Sequence, residues 1–145
     1  MNTSKRRLAL LALAVALSGC DIFQDQTPDF VSFRMTGAAG SVVSIVYSTE
    51  FISAVNEVGV TQLQMFASDT VTHTLPIDTI IDVRVNRQIY LEALAGPADT
   101  VTVDVEVDVD DRRIFDDSGD LFPDVPWQFL YGYNRPVTQV IEVIL

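Results

Sequence analysis

The chain predicts an all-β fold, an antiparallel, immunoglobulin-like β-sandwich of about 7–9 strands. Three observations point there. Val101, Val103, Val105, Val107 and Val109 alternate with Thr102, Asp104, Glu106 and Asp108, the period of a strand with one buried face. Similar short runs recur along the chain, separated by turns rich in Gly, Pro and Asp. No long window carries a helical period.

From Phe30 onward each run has its own warrant. Val31, Phe33 and Met35 alternate with Ser32 and Arg34, then Gly37-Ala38-Ala39-Gly40 marks a turn. Val43, Ile45 and Tyr47 form the next apolar row. Phe51 to Val58 reads as a short turn or helix. Leu63 and Met65 alternate with glutamines, and Val71-Thr72-His73-Thr74-Leu75 follows as a separate strand. Ile81, Val83 and Val85 supply another row, and Ile89 to Leu94 runs to the Gly96-Pro97 turn. After the valine strand, Asp110 to Asp124 reads as an acidic loop. Gln128 to Tyr133 and Val137 to Leu145 complete the set.

Ahead of this domain, Lys5, Arg6 and Arg7 precede the apolar stretch Leu8 to Leu17, the layout of a secretory signal. The stretch is about half the ~20 residues needed to cross a bilayer as a helix. Leu17-Ser18-Gly19-Cys20 resembles the lipobox of bacterial lipoproteins. That resemblance implies a signal peptide over 1–19 that is removed, and acylation of Cys20, with palmitate-type chains holding the protein to a membrane of the bacterial cell envelope. Each buried methylene contributes about 0.8 kcal/mol, and two or more chains make a lasting anchor. Residues 20–29 then read as the lipidated cysteine and a polar tether, and 30–145 as a single sandwich domain. Extended, Asp21 to Asp29 reaches about 30 Å. The periplasmic and the surface-facing side both stay open.

Charge narrows the partners. The chain has a formal net charge of −11. Loss of the three basic residues of the signal takes that to −14, with arginine as its only remaining cation. Such a surface repels nucleic acid, so nucleic-acid binding is excluded. Cys20 is the only cysteine, so no disulfide within the chain is available.

The run from Val31 to Val109 also resembles small membrane-anchored bacterial proteins with an immunoglobulin-like domain, including the mycobacterial small membrane protein family. The likeness lies in Thr36-Gly37 closing the first strand, Ser44-Ile45-Val46-Tyr47, Ile89-Tyr90-Leu91-Glu92-Ala93, and Val101 to Asp111 running into a turn. Asp110-Asp111 stands where that family often has Asp-Gly, and the acidic, aromatic tail has no counterpart. The family implies an accessory or partner-binding role and brings no catalytic residues.

The candidate sites are few. Asp104, Glu106, Asp108 and Asp110 face away from the valines, and read as a solvated outer face with Arg84 or Arg87 opposite. Asp116, Asp117 and Asp120, with Asp124 outside them, offer oxygens for calcium, the one cofactor considered. Their spacing departs from the twelve-residue calcium loop, and a polar surface loop is the plainer reading. Trp127 and Tyr131, among Phe115, Phe122, Phe129 and Tyr133, could form a glycan or protein platform, or simply core. His73 is the only histidine, with no nucleophile elbow and no thiol partner, so no enzyme is expected. The sequence therefore predicts a non-catalytic accessory or protein-interaction domain with an unknown envelope partner. The alternative is a calcium- or glycan-binding module built on residues 110–124.

Overall fold

The computed structural model describes residues 27–97, 99–132, 135–137 and 141–144. The lipobox and Cys20 lie outside the described residues. Ten strands are present and no helix among the described residues: β1 (Phe30–Gly37), β2 (Val42–Val55), β3 (Thr61–Thr74), β4 (Ile77–Asp82), β5 (Ile89–Ala95), β6 (Val101–Val109), β7 (Arg112–Leu121), β8 (Trp127–Gly132), β9 (Arg135–Val137) and β10 (Ile141–Ile144). They form a four-stranded sheet, order β4-β1-β6-β7, and a six-stranded sheet, order β10-β3-β2-β5-β8-β9. The fold is the β-sandwich expected, with one strand more than the upper expectation. Every neighbouring pair is antiparallel except β10 with β3. β1 pairs β4 in one sheet and β2 pairs β5 in the other.

The period-two rows decide which faces meet. Val31, Phe33 and Met35 of β1 and the five valines of β6 are buried. Val43, Ile45, Ile89, Leu91, Ala93, Phe129 and Tyr131 meet them from the six-stranded sheet. Burying one valine side chain contributes about 1.5 kcal/mol, so an unbroken row commits β6 to the centre of its sheet. Its hairpin to β7 turns on Asp110 and Asp111, both at positive φ (47° and 65°). That is a two-residue turn of the primed kind, which matches strand twist. Asp110 also accepts hydrogen bonds at Oδ1 from the backbone N–H of Asp29 (2.9 Å) and Phe30 (3.1 Å). The turn thereby clamps the start of β1.

Several expectations need correction. Phe51 to Val55 continues β2 as strand, and the turn follows at Asn56, whose Oδ1 accepts from the N–H groups of Val58 and Val60. Val71 to Thr74 belongs to the same long strand as Leu63, because β2 pairs with it along its whole length. Val83 leaves the sheet after Asp82 and is buried, while Val85 is 89% exposed. Residues 112–121 are strand β7, not loop, because β6 offers its far edge to pair with. Val137 to Leu145 is not one strand: β9 and β10 lie at opposite ends of the sheet order.

That last split reveals a second core. Phe51, Leu63, Tyr90, Leu130 and Ile141 cluster apart from the main core. Ile141 donates its N–H to Gln128 Oε1 (2.9 Å), Gln128 Nε2 donates to Tyr90 Oη (2.9 Å), and Tyr90 Oη donates to Glu92 (2.6 Å). β10 therefore lies beside β8 although three strands, β3, β2 and β5, separate them in the sheet order, so the sheet is rolled. A bulge at Tyr47–Glu50 bends β2 into the roll. Ser48 fills it, accepting from Glu50 N and donating to the carbonyl of Ala67.

Candidate functional site

The rolled six-stranded sheet overhangs its partner on one side. β10 covers only Thr61 to Gln64 of β3, and the remainder of that edge is unpaired among the described residues. The cross-strand partners of Val43, Ile45 and Tyr47 are His73, Val71 and Asp69, which therefore face the same side as that buried row. They are nevertheless exposed, because β4 is the last strand of the opposite sheet and does not reach over them.

The result is an open cleft of about 470 Å³ between the overhang and β4. Phe33, Ile45 and Leu91 make its apolar floor, and Ile77, Thr79 and Ile81 of β4 make one wall. Val71 and His73 line the other wall, and Tyr47, Thr49 and Asp82 stand at one end. Thr74, Leu75 and Pro76 carry the chain from one wall to the other. The cleft has the makeup of a binding site: an apolar floor with few polar groups at the rim.

Two carboxylates set its electrostatics. Tyr47 hydrogen-bonds Asp69; burial first, then that bond and its negative charge, raise the phenol above its ordinary value. Asp82 is held down at about 2 by hydrogen bonds from the Arg84 side chain and backbone. Arg84 is raised in turn by the same pair.

The residues singled out by sequence fall elsewhere. Asp104, Glu106 and Asp108 do face outward, but the cations on Glu106 and Asp108 are Arg34 and Arg113, not Arg84 or Arg87, and Asp104 accepts from Ser118 Oγ (2.7 Å). Arg34 bridges Asp78 (3.1 Å) and Glu106 (3.3 Å). Arg113 bridges Glu106 (3.0 Å), Asp108 and Asp116 (3.0 Å). Hydrogen bonding to Asp108 raises Arg113 well above the ordinary guanidinium value, against desolvation and with the charges of Asp108 and Glu106 adding to it. Asp116 and Asp120 lie on the outer face of β7, about 13 Å apart by strand spacing, and Asp117 points to the inner side. Asp120 accepts from Thr102 Oγ1 (2.6 Å), and Asp117 accepts from Ser118 N (2.9 Å). Among the described residues no three carboxylate, His or Cys groups gather as a metal site.

The aromatic candidates belong to the core. Trp127 is half-buried, stacked on Phe129 (centroids 6.1 Å, planes 4° apart) and against Phe115 and Phe33. Tyr131 is 1% exposed, so it presents no platform to solvent.

Sequence reading missed the cleft. A signal was present in Ala67 to Thr74, which is poor in apolar residues on both faces although it pairs with a strongly apolar row. A strand of that kind is one that the second sheet leaves uncovered. No protein-family model matches the chain, and no curated protein matches it, so function rests on the site itself.

Proposed function

We propose that the protein is a lipid-anchored, non-catalytic interaction domain of the bacterial cell envelope, which holds a partner in the cleft between β3 and β4. The observation that carries the reading is the uncovered cleft, with its apolar floor and hydroxyl rim. An acylated Cys20 and a tether to Asp29 would hold that cleft within about 30 Å of the membrane surface. The side chains around the cleft are suited to binding: His73, Tyr47 and the threonines supply polar groups at the rim.

The test places a photo-crosslinking amino acid at Thr79 in the full chain, in native membranes. Capture of a discrete partner, lost when the crosslinker is moved to Ile52 on the far sheet, is the expected result. Cys20→Ala should release the mature protein from the membrane fraction or leave an uncleaved precursor. Membrane retention with normal processing would overturn the anchor, and no capture at Thr79 would overturn the binding role.

A further inference from the structure

Building on that interaction reading, we propose that the cleft's occupant is an extended segment of another protein that adds as a strand to the free edge of β4, apolar toward the cleft and basic outward opposite Asp78 and Asp82. β4 pairs β1 along one side from Ile77 to Asp82 and has no strand on the other among the described residues. Its backbone N–H and C=O groups on that side are a template for one more strand. Such additions draw affinity from main-chain bonds and specificity from alternate side chains.

The two faces of β4 say what those side chains must be. Ile77, Thr79 and Ile81 face the cleft and carry no charge, so an added strand meets them best with apolar residues. Asp78, Ile80 and Asp82 alternate to the other side of the strand, with Ile80 and Asp82 also bordering the cleft at its edge. Ile80 is 70% exposed, a large apolar side chain on an unpaired edge between two carboxylates. Directly opposed cross-strand side chains lie about 5 Å apart, close enough for an ion pair at each aspartate and an apolar contact at Ile80.

Both aspartates stay open to solvent. Their side chains are 61% and 56% exposed. Arg34 reaches Asp78 from β1, the side away from the free edge, and Arg84 holds Asp82 from the chain that follows. A carboxylate has about four acceptor positions; Arg34 bonds Asp78 at Oδ2, whereas Arg84 already bonds both oxygens of Asp82, so an incoming cation meets Asp82 through its exposed charge and Asp78 through a direct bond. The chain's net charge of −11 adds a long-range pull on a basic segment and opposes a second copy of this chain in the same place.

The probes are two peptides, Val-Arg-Val-Ile-Val-Arg-Val and its counterpart with Glu for Arg, each flanked by Gly-Ser and a fluorophore. Binding to the full mature protein in detergent micelles is read by anisotropy. The basic peptide should bind about tenfold more tightly at low salt, from two favourable pairs against two unfavourable ones. Amide shift changes in NMR spectra should centre on residues 77–82. Asp78→Asn combined with Asp82→Asn should erase the preference while the melting temperature stays near that of the parent. Equal affinity for both peptides, no binding at millimolar peptide, or shifts centred on β3 or β7 would overturn the proposal. Capture of a partner at Thr79 alongside any of those results leaves the interaction role standing and removes only the basic strand.

Discussion

β4 and β7 are the two edges of one four-stranded sheet, and they are protected differently. β7 turns Asp117 to its inner side opposite Val105, and Gly119 follows opposite Val103. An apolar strand arriving there would bury a carboxylate, which is the usual defence of an edge. Its outer side is tied down by Arg113 and by Thr102 and Ser118 hydrogen bonds to Asp120 and Asp104. β4 turns Ile77, Thr79 and Ile81 inward beside an open cleft, with Asp82 at the end of it. The contrast teaches that this domain closes one edge by charge and leaves the other able to receive a strand.

The largest test of that contrast lies beneath the two edges. Phe33 is fully buried and forms the floor of the cleft, whereas Phe115, under β7, is half-buried against Trp127 and Phe129. Phe33→Ala should cost about 3–5 kcal/mol in urea unfolding, and Phe115→Ala roughly half of that. Equal losses would mean that the two sides are packed alike. Next in size is Asp110→Ala, which strands the N–H groups of Asp29 and Phe30 and leaves alanine at positive φ. A loss of about 1–2 kcal/mol is expected, with hydrogen exchange rising at the start of β1.

A smaller effect concerns the edges themselves. Asp117→Val should make the β7 edge self-associate, visible as an earlier elution that grows with concentration, while Ile80→Lys on β4 should leave elution unchanged. Association of the unmodified protein through β7 would erase the distinction. Smallest is the acid response at the end of β4. Asp82 titrates at about 2 in the folded state, below its unfolded value. Its contribution to stability is thus intact above about pH 4 and fades as pH falls toward 2. Because the pair with Arg84 is exposed, the melting temperature should change little, and the clear readout is the Asp82 carboxyl shift in an NMR titration. A midpoint near 4 would show the pair to be broken in solution.

Much of the fold was legible in the chain, for reasons that particular residues make plain. The valine row of β6 and the Val31–Phe33–Met35 row each have one apolar face, and a strand with one apolar face has one way to sit on a core. The glycines and Asp110-Asp111 marked turns because positive φ is costly for most other residues. Residues 112–121 misled because Asp, Ser and Gly favour turns, and only the free edge of β6 makes them strand. Phe51 misled differently: its apolar side chain serves a second core with Leu63, Tyr90, Leu130 and Ile141, which period two alone does not reveal.

The candidate site was far less legible. Asp116, Asp117 and Asp120 are neighbours in sequence, but a strand sends alternate side chains to opposite faces and parts them. Tyr47, His73 and Ile81 are far apart in sequence, and the sheet order alone brings them around one cleft. The sequence by itself determined the sandwich class, the buried rows of β1 and β6, the acidity and the expectation of an anchor at Cys20, because each is written in local pattern. Only the tertiary structure decided where the sandwich is left open. Coverage of one sheet by another depends on how far β4 extends over β3, and no single strand encodes that distance.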